Sequence, residues 1–309
     1  MAPDAHIVIT DSGLGGLSIC AALEKNLREA GQSRHVRLTY VNAWPFEDRG
    51  YNDLPDAAAR ADVFDRALRR MNAMHPDRIV IACNTLSILY PQTPFSRNPP
   101  VPVQGIVDAG VDLFAERLNE DPTSSIVLTG TRTTIESGVH RDRLIRRGID
   151  PARIAAVPCH GLATAIERDV DGSRTTEFID ACASRAAEAA PPGGVLFAGL
   201  CCTHYGYVAV RIVDALARRT GRRARALDPN LRLVGGLMAE DGFFEGTPGR
   251  VPGAGDARPG GSRGEVTVEV ISKVELDERA RRGIARLIEP VSAVTARALL
   301  SYSRVPDLF

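Results

Sequence analysis

Four short apolar runs punctuate the chain, and each gives way to a loop of small polar residues. They are His6–Thr10 before Asp11, Arg78–Ala82 before Cys83, Ser125–Thr129 before Gly130 and Gly194–Ala198 before Gly199. Unbroken, β-branched runs of this length predict strands covered on both faces, as in parallel sheets. Between them apolar residues recur at helical spacing: Val63, Phe64, Ala67, Leu68 and Met71 predict a helix over about 57–74. Further helices are expected around 106–119, 138–147, 163–170, 175–190 and 206–219, then a strand over Val266–Ile271 and a helical region over 277–301. Strand–helix alternation implies an α/β fold with mostly parallel sheets. The recurrence of strand, polar loop and helix suggests two similar α/β domains.

Pro94–Val103, with Pro99, Pro100 and Pro102, reads as a linker between the halves. Residues 245–264 are rich in Gly, Pro and Arg and are expected to form a mobile loop. This divides the chain into a first domain, 1–103 plus 230–309, and a second, 104–229. Parallel sheets bind ligands at the carboxyl ends of their strands. Those ends carry Asp11–Ser12, Cys83–Asn84–Thr85, Gly130–Thr131 and Cys201–Cys202–Thr203–His204, so the polar clusters share one functional edge.

Charge narrows the partners. Lys+Arg and Asp+Glu are both 38, leaving zero formal net charge and no overall pull toward nucleic acid or an anionic membrane. No stretch approaches the roughly 20 apolar residues of a membrane span, and the N-terminus does not read as a signal peptide. A cytoplasmic protein with reduced thiols is expected. The six cysteines lack disulfide-framework spacing, so each is read as a buried apolar residue or a reactive thiol. Lysine occurs only at Lys25 and Lys273. A pyridoxal enzyme needs a lysine for its Schiff base. Lys25 reads as part of a solvated helix face and Lys273 lies beside a terminal strand, so no cofactor is expected.

Cys83 stands between a predicted strand and helix in IACNTLSILY, where a helix N-terminus would favour thiolate; a buried core cysteine is the alternative. Cys202, in GLCCTHYGY, has His204 two residues away, able to share a proton with it. A zinc site from Cys201, Cys202 and His204 lacks the usual spacer between cysteine ligands, so no metal is expected. DSGLGGLS resembles a nucleotide loop but lacks the full glycine pattern and a Walker lysine. Its glycines are expected to let backbone approach a small substrate, with Asp11 and Ser12 pointing at it.

In order and separation, DSGLGG, ACNT, GTRTTIESG and CTHY resemble the signatures of the glutamate racemases, over about residues 5 to 230. The resemblance implies two α/β domains with the active site in the cleft between them. It implies cofactor-independent interconversion of L- and D-glutamate, feeding peptidoglycan synthesis, with Cys83 and Cys202 as a two-thiol acid/base pair. Asp11 would assist Cys83; His204 and Glu167 would assist Cys202. Ser12, Asn84, Thr85, Thr134 and Thr203 match positions that hold the amino acid's polar groups. The family's Pro-Tyr-Gly turn corresponds to Gly50-Tyr51-Asn52, which makes Tyr51 and Asn52 candidate substrate contacts. Gly206 replaces the proline that usually follows CTHY. These departures leave open a racemase, epimerase or isomerase of the same family acting on another carboxylic or amino acid. A binding protein that had lost catalysis would be expected to lack a cysteine or Asp11. The one partner expected is a small amino acid; a homodimer stays open.

Two bases on opposite faces of Cα are the direct way to invert it. An approach of about 3–3.5 Å on each side sets the sulfurs roughly 6–7 Å apart, too far for a disulfide. Without pyridoxal, the carbanion must be stabilised by fixed neutral donors in a dry cleft; domain closure would exclude water.

Overall fold

A computed structural model describes residues 5–31, 34–239 and 264–309. All of the expected loop 245–264 except its last residue lies outside the described residues.

Among the described residues ten strands form two sheets. The first, ordered β10-β9-β2-β1-β3-β4, contains β1 (Ala5–Asp11), β2 (Val36–Asn42), β3 (Arg78–Ile81), β4 (Val103–Gly105), β9 (Val266–Ser272) and β10 (Ser303–Arg304). The second, ordered β6-β5-β7-β8, contains β5 (Ser125–Gly130), β6 (Ile154–Pro158), β7 (Leu196–Cys201) and β8 (Ala224–Leu227). Every neighbouring pair is parallel. The continuous apolar runs follow from this: β1 and β7 are buried along their whole lengths, covered on both faces.

Around the first sheet pack α1 (Leu17–Glu29), α2 (Ala57–Asn72) and α3 (Asn84–Leu89), while α4 (Ile106–Glu120) packs against β7 of the second. Next come α5 (Arg132–Glu136), α6 (Val139–Arg146), α7 (Leu162–Arg168), α8 (Ser173–Ala189) and α9 (Ala209–Thr220). The last are α10 (Pro229–Ala239), α11 (Glu278–Ile288) and α12 (Ala293–Leu300). Among the described residues no helix is long and apolar enough to cross a membrane.

The two sheets share a core plan. In β2-β1-β3-β4 and in β6-β5-β7-β8 the first strand sits inside, with the second on one side and the third on the other. Each sheet therefore reverses its winding beside β1 or β5, which opens a crevice at the carboxyl ends. Register places Thr10 beside Ile81 and Gly130 beside Cys201. Asp11–Ser12 thus emerge next to Cys83, and Gly130–Thr131 next to Cys202.

Several expectations need correction. Residues 206–208 continue a tight 3-10 turn, Thr203–Val208, before α9 begins. The region 277–301 is two helices, broken where Ser292 caps α12. Along the expected linker, whose place between the halves is not at issue, Thr93 caps a turn over Pro94–Arg97, Phe95 is buried, and Val103 pairs with Ile79 as the start of β4. The solvated face around Lys25 is helical but largely buried, with Leu23 and Glu24 inside and Glu24 held by Arg28 at 3.0 Å. Two of the six cysteines are not free: Cys159 and Cys182 form a disulfide, drawing the start of α7's loop onto α8.

Candidate active site

A cavity of about 920 Å³ opens where the carboxyl ends of the two sheets meet. Cys83 enters its wall from the first sheet and Cys202 from the second; both are free, at 6% and 7% exposure. Asp11, Ser12, Asn84 and Thr85 line it on one side, Glu167, Thr203 and His204 on the other. Neighbouring Cys201 packs into a different apolar cluster from Cys202, as alternation along a strand requires. Neither lysine lines the cavity; Lys273 stacks over the Phe46 and Phe309 rings. Among the described residues no three His, Cys, Asp or Glu gather where they could hold a metal ion.

The two thiols sit in opposite electrostatic settings. Cys83 caps α3, the arrangement expected to favour thiolate, but burial prevails and pushes the thiol up, helped by the charge of Asp11. Hydrogen bonding from Ser12, whose Oγ is 3.2 Å from Cys83 Sγ, opposes the rise without cancelling it. A six-residue helix brings little dipole against the loss of water around sulfur. Cys202 instead faces an imidazole, with His204 Nδ1 3.8 Å from its Sγ and His204 Nε2 donating to Glu167 Oε2 at 2.7 Å. Burial alone would lower His204, yet hydrogen bonds and charge from Cys202 and Glu167 raise it well above the usual imidazole value. The resulting imidazolium faces the Cys202 sulfur.

Glu167 also accepts the Leu14 backbone N–H at 2.8 Å, which ties α7 to the glycine loop after β1. That loop also lies close against the second sheet. A Cβ at Gly15 would lie 2.4 Å from Thr203 Oγ1 and 2.6 Å from His204 Nδ1, and one at Gly13 would lie 2.7 Å from Glu167 Oε2. The glycines let backbone approach the histidine machinery of the other sheet. Asp11 Oδ2 accepts the Thr203 hydroxyl at 2.7 Å, a second tie across the cleft. Asp11 therefore reaches Cys83 by charge, while its Oδ2 accepts the hydrogen bond from Thr203.

Thr85, Thr131 and Thr134 close a ring of hydroxyls, each 3.0 Å from the next. Thr134 is buried behind the wall and Thr131 lines it. Tyr51 is likewise off the cavity, packed edge-on against Phe64 in the core beneath the first sheet. Asn52 does line it, but its Oδ1 accepts Thr133 Oγ1 at 2.7 Å and Thr133 N at 3.3 Å. Thr133 and His140 were within reach of sequence reasoning, since GTRTTIESGVH carries both beside Thr131 and Thr134.

Two parallel sheets thus each present a free thiol to one cavity. The chain belongs to the Asp/Glu/Hydantoin racemase family, which it matches over residues 7–216. It is 38% identical over 144 residues to the glutamate racemase of Aquifex aeolicus, covering 47% of this chain and 52%, about half, of that relative. With the glutamate racemase of Brucella ovis it shares 29% identity over 237 residues, 74% of this chain and 77% of the other. Its fold is similar to that of glutamate racemase from Francisella tularensis solved with D-glutamate: TM-score 0.65, 18% identity, covering 93% of this chain and 94% of that one.

Proposed function

We propose that the protein interconverts L- and D-glutamate without a cofactor, Cys83 and Cys202 exchanging the roles of base and acid on opposite faces of Cα. The observation that carries this is the pair of free, buried thiols supplied to one cavity by two different sheets. In one direction Cys202, paired with the His204 imidazolium, takes the Cα proton while the Cys83 thiol delivers one to the other face; in the return direction the roles reverse. Burial of Cys83 suits the acid, because a desolvated thiol keeps its proton until a carbanion needs it. Ser12, Asn84, Thr85 and Thr203 supply neutral hydrogen bonds for the substrate, with Thr134 supporting Thr85 from behind. Relatives named glutamate racemase support the substrate. Asn52, the departure that left another acid open, gives its oxygen to Thr133 and so joins the walls of the cleft.

The two sheets would be the cores of two domains, 1–103 with 230–309 and 104–229. The enzyme would work in the cytoplasm and supply D-glutamate for peptidoglycan. There the Cys159–Cys182 bond, both residues 2% exposed, would be shielded from attacking thiols.

Incubation with L-glutamate in heavy water tests the reading: deuterium should enter Cα as optical rotation falls to zero. Cys83→Ser and Cys202→Ser should each lower kcat/KM by about 10²–10⁴-fold, the usual worth of a positioned acid or base. Wild-type rates in either variant would end it.

A further inference from the structure

Behind Asn84 lies a histidine with no part in the proton-transfer chain. His140, in the first turn of α6, is 2% exposed and packs beside Phe114. Its Nε2 is 3.1 Å from Asn84 Oδ1, and its Nδ1 is buried without a partner. Asn84, the first residue of α3, is also 2% exposed and lines the cavity, and its Nδ2 is buried without a partner. Two orphaned polar atoms on one hydrogen-bonded pair, with the cavity at the far end, call for a physical reason, because a buried polar group left unmet loses its water without compensation.

A carboxamide oxygen can only accept, so the ring nitrogen facing it carries the proton and Nδ1 is bare. With the oxygen fixed, the planar amide leaves its two N–H bonds without a protein acceptor, on a residue that lines the cavity. We infer that His140 is a positioning residue: it locks the Asn84 carboxamide so that its NH₂ faces the cavity as a donor for a carboxylate of the substrate. This rests on the proposed function only in requiring a carboxylate ligand. Turned the other way, Asn84 would present an oxygen that repels a carboxylate and attracts the ammonium. Burial, with Arg143 nearby, lowers His140 to about 4, so the ring stays neutral with a single proton to place through the physiological range. The contact joins α6, beside the second sheet, to α3, beside the first.

Glutarate, a dicarboxylate with no Cα proton to exchange, reads the interaction without turnover. Calorimetry on the whole protein should show binding weakened about tenfold in His140→Phe, which is 1.4 kcal/mol, and restored to within about threefold in His140→Gln, which keeps a donor at the same reach. KM for D-glutamate should rise in parallel while kcat changes less. Equal glutarate affinity in His140→Phe, a Gln variant as weak as Phe, or a wild type that binds no carboxylate would each overturn the assignment. Should the Phe variant not fold, ¹⁵N-histidine spectra of the wild type decide: the Nε2–H tautomer is required at pH 7, with a resonance that moves on adding glutarate, and an Nδ1–H tautomer refutes it. A wild type that binds glutarate but leaves glutamate unracemised would sink the proposed function and leave this inference standing.

Discussion

At Cys83 and Cys202 the same functional group meets two environments, and the difference is visible atom by atom. Cys83 has a hydroxyl at 3.2 Å and a carboxylate charge nearby; Cys202 has an imidazole backed by Glu167. Alkylation of Cys83 by iodoacetamide, followed by peptide mass mapping, should therefore be slow at pH 7.5 and still be accelerating above pH 9. Glu167→Gln should act through His204. The raised value of His204 means that its imidazolium contributes stability fully below about pH 6.5, the unfolded value, and loses it as pH climbs through the folded value. Removing Glu167 removes one of the raising partners. The variant should lose on the order of 2 kcal/mol in urea unfolding at pH 6, the scale of a charge-assisted hydrogen bond. That deficit should shrink as pH rises through the folded value of His204, while the alkaline limb of racemisation moves to lower pH.

Among the elements, the strands that position the thiols were legible because they are buried on both faces: Ile7, Ile9, Ile79, Val80, Leu196 and Phe197 leave no polar interruption. β2 was not, because Arg37, Thr39 and Asn42 break its apolar run. The structure explains them locally, with Thr39 Oγ1 2.9 Å from His6 Nε2 and Asn42 Nδ2 donating to Ser272. β6 was missed for its half-exposed alanines at an edge. Gly206, noted in the sequence only as a missing proline, has its reason in α10's approach. A Cβ there would lie 2.5 Å from Asp228 Oδ2, so a larger residue would need that carboxylate to move. Burial raises Asp228 to about 6. In the window between its unfolded value near 4 and about 6, the folded state holds the proton more tightly, so stability falls as pH rises. Asp228→Asn, which can still accept the Asn230 N–H, should be more stable than wild type at pH 7.5 by on the order of 1 kcal/mol after allowing for solvent screening. The gap should close by pH 4 in thermal melts.

For the whole molecule, the two sheets are joined at the cavity by a set of ties that motif spacing does not reveal. Each needs both partners' three-dimensional placement: Thr203 to Asp11, Leu14 N to Glu167, and Asn52 to Thr133. The motifs named many of these residues; the fold shows that several spend their hydrogen bonds on one another across the cleft. Asn52→Gly isolates one tie, since it restores the glycine of the resembling turn and leaves both thiols and their partners in place. Losing two hydrogen bonds across the cleft, about 1–2 kcal/mol together, should favour opening. Hydrogen exchange at the Thr133 amide should accelerate about tenfold, and KM for glutamate should rise several-fold, since part of the binding energy then goes into closing the walls. Global urea unfolding should change less than local exchange, because the cores beneath each sheet are untouched. If exchange at Thr133 stays at the wild-type rate while KM rises, Asn52 is acting on the substrate directly and the cross-cleft tie is incidental.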